Sequence, residues 1–319
     1  MKLFGTIVLL FLANSLFANK IDSLKSDEEI VKFISKLALK DYNPSIYNIS
    51  LKRTSSPDET HCQSLFFKCD TKSWRKIDFN LDNLTDLFAI VSLKYKKDKT
   101  SFDIFIAIID DGKGAFIVHQ IDDDFLTLCH VAKVVSDDYQ PTIIFGHYKK
   151  VYTMDSLFNS DVPFANNPKF NYVRANDTLI YKYESFIELN KSSSHKKVKS
   201  IYFETGFCFG ECPVFNMTIY EDGSAKYIAK QYNSKSGDFK TIISKDKMNV
   251  MLGLINYLNI TKLGNVYSVD ATDNPTCKLK IFFTDGTSKQ IYDYGEKGTF
   301  GLKRLYRLIF ELRDNQKWE

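Results

Sequence analysis

The sequence predicts an α+β fold in two domains, each a mainly antiparallel sheet with helices packed on one face. Three observations carry that expectation. Short apolar runs dominate from Leu87 onward, punctuated by the turns Asp111-Gly112, Asp222-Gly223 and Asp285-Gly286. Three stretches instead repeat apolar residues at helical spacing, over Ile30 to Ala38, Met248 to Leu258 and Leu302 to Leu312. A small, polar, basic segment, Lys191-Ser192-Ser193-Ser194-His195-Lys196-Lys197, separates two strand-rich halves and reads as a linker open to proteolysis.

Composition sets the class. The chain has 319 residues, 44% of them hydrophobic, enough for a packed core. Its formal charge is +4, with Lys and Asp interspersed, which makes no case for nucleic acid. Six cysteines are too few for a small disulfide scaffold, but an even count suits an exported protein.

Export is also the reading of the N-terminus. Lys2 precedes an apolar run from Leu3 to Leu12, and Ser15-Leu16-Phe17-Ala18 leads into polar Asn19-Lys20. That is a secretory signal peptide over residues 1–18, too short for a membrane span and with no lipoprotein cysteine after it. The expected division is then an N-terminal domain over 19–190, the linker over 191–197 and a C-terminal domain over 198–319. The mature protein is expected in the periplasm or medium, without a stable membrane span.

In the first domain, Ser26-Asp27-Glu28-Glu29 spells a capping box, and Ile30, Phe33, Ile34, Leu37 and Ala38 follow on one helical face. Cys62 and Cys69 suggest a local disulfide; a metal held with His61 and Asp70 is the alternative. Asp78, Asn80, Asp82 and Asp86, with the Leu84 carbonyl, place hard oxygens at the spacing of a short calcium loop; a plain acidic turn is the alternative. Strands are expected over Leu87 to Leu93, Phe102 to Ile109, Ala115 to Ile121, Val131 to Val135, Thr142 to Phe145 and Thr178 to Leu189, with loops at 153–171 and a turn at Asn176-Asp177. His119, His130 and His147 show no ligand spacing.

The second domain opens with a strand over Val198 to Glu204 and turns through Thr205-Gly206-Phe207-Cys208-Phe209-Gly210-Glu211-Cys212-Pro213. Strands follow over Val214 to Tyr220, Ala225 to Tyr232 and Phe239 to Ile243, then a helix capped by Ser244. A hairpin of Lys278 to Phe283 and Ser288 to Tyr292 leads to a last helix, near Thr299 to Arg313. In an exported chain Cys208 and Cys212 are expected to pair; pairings that use Cys277, with Cys129 left over, are the rivals. Such a bond would hold Phe207, Phe209 and Glu211 in one conformation.

This half resembles domain of unknown function 6438, found in exported bacterial proteins. The resemblance rests on Thr205 to Phe215, the Asp222-Gly223 turn, Asp273 before the Lys278 strand, and Asp293-Tyr294-Gly295 before the last helix. It implies no activity. Asp273, Asp293 and Tyr294 each border a strand and could converge on the cysteine turn as binding residues, or serve as turn chemistry.

The chain lacks Gly-x-Ser-x-Gly, His-Glu-x-x-His and phosphate-loop patterns, and no histidine lies beyond His195. The function expected is a non-catalytic envelope protein binding an unknown protein or small ligand, with calcium as the one cofactor suggested. A thiol-active enzyme using Cys208 and Cys212 is the alternative; Glu211 beside Cys212 and a strand after Pro213 speak against thiol activation.

Overall fold

The computed structural model describes residues 20–37, 42, 45–52, 73–98, 100–121, 130–136, 140–152, 170–269 and 271–319. The expected signal peptide, Cys62, Cys69, His61, Asp70 and Cys129 lie outside the described residues. The described chain is mostly β, in antiparallel sheets, with four α-helices. No helix among the described residues is long and apolar enough to cross a membrane. The chain divides into two compact units, Met1–Lys52 with Trp74–Val118, and Arg53–Ser73 with His119–Glu319.

The first unit carries helices α1 (Lys20–Ser23) and α2 (Asp27–Leu37) and strands β1 (Tyr47–Leu51), β2 (Trp74–Ile77), β3 (Asp86–Tyr95) and β4 (Ser101–Asp110). β5 (Phe116–Gln120) starts in this unit and completes its sheet, ordered β1-β3-β4-β5, with β2 sharing the β1 flank of β3. The capping box forms: Glu29 N–H donates to the Ser26 hydroxyl at 3.3 Å, and Ser26 N–H donates to the Glu29 carboxylate at 3.1 Å. α2 then contributes Ile30, Phe33 and Ile34 to a core shared with Leu87, Ala89, Val91, Ile104, Ile106 and Ile108. The last six are cross-strand partners, Leu87 facing Ile108, Ala89 facing Ile106 and Val91 facing Ile104.

The second unit holds two sheets. One is a meander of β6 (Val131–Val135), β7 (Thr142–Tyr152), β8 (Phe170–Lys182) and β9 (Ser185–Glu188). The other has seven strands in the order β13-β12-β11-β10-β15-β16-β14. These are β10 (Val198–Thr205), β11 (Phe215–Tyr220), β12 (Ser224–Ala229), β13 (Gly237–Ile242), β14 (Val266–Ser268), β15 (Thr276–Phe283) and β16 (Ser288–Tyr294). All its pairings are antiparallel except β14 with β16. Helices α3 (Lys245–Tyr257) and α4 (Phe300–Asn315) share one core with this sheet: Met251, Leu254 and Ile255 and Leu305, Tyr306 and Ile309 cluster with Ile201, Phe203, Met217 and Leu279.

Two local expectations fail, for tertiary reasons. Asn176 and Asp177 do not turn; they sit inside β8 opposite Gly146 and Phe145, where the Asp177 carboxylate meets His147 Nε2 at 2.7 Å. The run Thr178 to Leu189 is broken by a two-residue hairpin at Tyr183-Glu184, with φ of 54° and 57°. Such a turn favours Asn-Gly. Here Arg304 compensates, donating from Nε to the Tyr183 carbonyl at 2.8 Å and from Nη2 to the Glu184 carboxylate at 3.2 Å.

The expected linker is held to this unit along its length. Asn190 N–H donates to the Tyr257 hydroxyl at 2.8 Å, Ser194 N–H to the Asn256 carbonyl at 2.7 Å, and Lys196 pairs with Asp285 at 2.7 Å. The unit boundary falls between Val118 and His119 rather than at this segment. Limited trypsin is therefore expected to nick the exposed lysines of 191–197 while the two products co-elute on native gel filtration. Release of a free, folded fragment beginning near Val198 would overturn this.

Candidate functional site

The cysteine turn stands at one end of the seven-stranded sheet. Thr205, buried at the end of β10, clamps its base: the hydroxyl donates to the Pro213 carbonyl at 2.7 Å and accepts from Phe215 N–H at 3.0 Å. Within that base Cys208 and Cys212 form a disulfide with Cα atoms 5.8 Å apart, as expected. Gly210 takes φ of 136°, a backbone state that an L side chain rarely adopts. The bond and the clamp leave Phe207 61% and Phe209 87% exposed. Glu211 is exposed beside them.

The segment before β15 buttresses the turn. Gly206 N–H donates to the Thr276 carbonyl at 2.8 Å, and Phe209 N–H to the Asp273 carbonyl at 2.9 Å. Asp273 itself sits at φ of 68°. Asn274 N–H donates to the Tyr294 hydroxyl at 3.1 Å. Register completes the convergence: Thr205 faces Cys277, Cys277 faces Asp293, and Thr276 faces Tyr294. Of the three candidate residues, Asp273 and Tyr294 border the turn, whereas Asp293 lies opposite Cys277 on β16, two strands from Thr205. Asp273 and Tyr294 support its backbone. Asp293 is fully buried, and its two oxygens accept from Lys297 N–H at 2.7 Å and Gly298 N–H at 2.9 Å. It is a structural cap and is not open to a ligand.

The thiol chemistry is correspondingly closed. Cys277 is free and buried, so the rival pairings through it do not form. Burial, and then the carboxylates of Glu296 and Asp293, push its thiol well above the usual range.

Asp293 has a partner the sequence did not reveal. Glu188, at the end of β9, accepts from Phe300 N–H at 2.7 Å and Gly301 N–H at 2.9 Å. Thr299 accepts from Leu302 N–H at 3.2 Å through its hydroxyl and from Lys303 N–H at 2.9 Å through its carbonyl. The N–H groups of Phe300, Gly301 and Leu302, which a helix start leaves without an intrahelical partner, are thus satisfied at α4. Burial raises both carboxylates, Asp293 to about 6, while the N–H bonds oppose the rise.

The loop at Asp78 to Asp86 lies in the first unit and folds on its own backbone. Asp78 accepts from Asp82 N–H at 3.2 Å and Asn83 N–H at 2.8 Å, Asp82 accepts from Leu84 N–H at 2.8 Å, and Asn80 Nδ2 donates to Asp82 at 2.8 Å. Leu81 and Asn83 take positive φ, of 62° and 67°. Asp86 turns inward, fully buried, accepting from Phe79 N–H at 2.8 Å and Asp110 N–H at 2.9 Å. Burial pushes it up to about 7. Among the described residues, no group of three or more His, Cys, Asp or Glu is placed to hold a metal ion.

A family model described as Domain of unknown function (DUF6438) matches residues 199–313. The match spans β10 to α4 and so contains the cysteine turn, Asp273, Asp293 and Tyr294, but not Glu188. No curated protein and no solved structure matches the chain.

Asp293 gives a pH test. Its folded value, about 6, exceeds the ~4 of an unfolded chain. Its stabilising protonation is therefore full below about pH 4 and lost as pH rises through about 6. In urea unfolding, the stability of wild type relative to Asp293→Asn should shrink by roughly 2 kcal/mol between about pH 4 and 7. A difference independent of pH would overturn the assignment.

Proposed function

We propose that this is an exported, non-catalytic protein of the cell envelope that binds a ligand or protein partner through the disulfide-closed turn. The observation that carries the reading is the exposure of Phe209, 87%, on a backbone tied by the disulfide and by the Asp273 carbonyl. Rigid, exposed aromatic side chains are the residues that anchor interfaces, because their contact area costs little ordering entropy on binding. Apolar side chains held in water without a packing role mark contact sites. On this reading each sheet carries its helices on one face in a two-domain α+β chain, and the turn projects from the sheet end. The thiol-enzyme alternative is disfavoured because Cys208 and Cys212 are bonded to each other and the Cys277 thiol is buried and high.

The reading extends to the 78–86 loop as a calcium site of Asp78, Asn80, Asp82 and the Leu84 carbonyl, with Asp86 anchoring the loop. Its set of hard oxygens supports this. Calcium is expected to raise the melting temperature relative to chelator, and Asp82→Ala to abolish the shift. Identical melting curves would reduce the loop to a turn.

The binding reading is tested in cells. Fractionation and intact mass should find the mature chain outside the cytoplasm and lacking residues 1–18. A photo-crosslinking residue at position 209 should give a discrete adduct, while one at position 245 gives none. Cytoplasmic retention, no adduct at 209, or fast-reacting thiols in the native protein would each overturn it.

A further inference from the structure

The seven-stranded sheet has a second face that its helices leave open. Residues on it run in cross-strand rows. Thr218 of β11 faces Tyr202 of β10 on one side and Lys226 of β12 on the other; Lys226 faces Lys240 of β13, and Tyr202 faces Lys280 of β15. The neighbouring row sets Ser200 between Tyr220 and Phe282. Lys226 and Lys240 are exposed, Lys280 is half-buried, and Phe282 is open to solvent.

Lysines outnumber carboxylates on this face, where Lys226, Lys240, Lys278 and Lys280 stand against Glu204 and Asp238. Glu204 is already neutralised, by the Lys278 ammonium at 2.9 Å and the Tyr202 hydroxyl at 2.6 Å. Among the described residues, Lys226, Lys240 and Lys280 have no ion-pair partner, and Lys280 lies over the Phe282 ring at 4.8 Å. Lys226 opposite Lys240 is a like-charge cross-strand pair, an arrangement that costs a sheet stability. Lysines on an edge strand guard against sheet-to-sheet pairing. That explains Lys240 on β13, but not Lys280, which lies on an interior strand.

We propose that this open face binds an anionic polysaccharide. The proposal rests on the envelope location argued above. Unpaired ammonium groups attract carboxylate or sulfate along a chain, and the rings of Tyr202, Tyr220 and Phe282 offer flat apolar area to the C–H faces of sugars. A sheet face suits an extended polymer, which needs a row of contacts more than a deep pocket.

The test uses the purified mature protein, with heparin and polygalacturonate as probes and titration over a range of sodium chloride. Binding is expected to weaken with salt. The triple variant Lys226→Gln, Lys240→Gln, Lys280→Gln should bind at least about 10-fold more weakly, the loss of roughly 1.4 kcal/mol. A control removing the same charge elsewhere, Lys245→Gln, Lys262→Gln, Lys317→Gln, should change affinity less than about 2-fold. Tyr220→Ala with Phe282→Ala should weaken binding at constant charge. Phe207→Ala with Phe209→Ala should leave it intact, which separates this face from the turn; cell fractionation separately checks the location. No binding of either polysaccharide, equal losses in the two triple variants, or stronger binding of single-stranded polyuridylate by the same lysines would overturn the proposal.

Discussion

The second unit depends on how the start of α4 is satisfied. A helix N-terminus inside a protein presents N–H groups that water cannot reach, together with a partial positive charge. Here Glu188 takes those of Phe300 and Gly301 and Thr299 takes that of Leu302, while Asp293 caps the turn just before the helix at Lys297 and Gly298. Asp293 arrives from the end of β16, four residues before the turn it caps. Glu188 arrives from β9, 112 residues earlier in the chain than Phe300. Glycine makes the approach possible: a Cβ at Gly298 would lie 2.6 Å from Leu302 Cδ2 and 2.7 Å from the Asp293 carboxylate. At Gly301 it would run into Leu258, which lies just beyond α3. Because Glu188 belongs to the four-stranded meander and α4 to the core of the seven-stranded sheet, this pair of hydrogen bonds joins both sheets, beside the Arg304 bonds to the Tyr183-Glu184 turn and the packing of Ile180 and Ile187 in the shared core.

That linkage explains which features were legible in the sequence. Local signals held. The capping box at Ser26, the caps at Ser244 and Thr299, and the turns at Gly223 and Gly286, each with φ of 84°, depend on neighbours within a few residues. The pairing of Cys208 with Cys212 and the gathering of Asp273 and Tyr294 around it also follow from short-range logic, since all border adjacent strands. What failed depends on distance. The Tyr183-Glu184 hairpin has no turn residues and is held by Arg304, more than a hundred positions away. Glu188 looks like any strand-end glutamate, because its partners are backbone groups of a helix still to come. The segment at 191–197 has the composition of a linker, yet its carbonyls and amides are spoken for by α3 and the residues after it. Composition reports side chains; it is silent on where backbone groups find partners.

The disulfide works through shape more than through stability. Closing a loop between residues four apart removes little chain entropy. The Thr205 clamp already joins the two ends of the turn, and the strand register fixes where it sits. The bond acts on the remaining freedom, the course of the chain between the cysteines. Without it, Phe207 and Phe209 could fold back on the sheet end and shed their contact with water. With it, and with Phe209 N–H committed to Asp273, that relaxation is blocked.

The sheet's two faces obey different rules. On one, alternate residues of β10, β11, β12 and β15 are buried with α3 and α4, and any change of volume there disturbs a packed core. On the other, residues are free of that constraint, so a sheet selected for stability alone would set opposite charges across its strands. The placement of Lys226 against Lys240, with Lys280 three strands beyond Lys226, departs from that arrangement, even with Asp238 on the same face. The exposed phenylalanines of the turn likewise depart from what burial favours. Both departures fall outside the core, and among the described residues they leave the two rings in water and the three lysines without an ion-pair partner. On the reading proposed above, groups held in this way on the sheet and its end turn are contact sites.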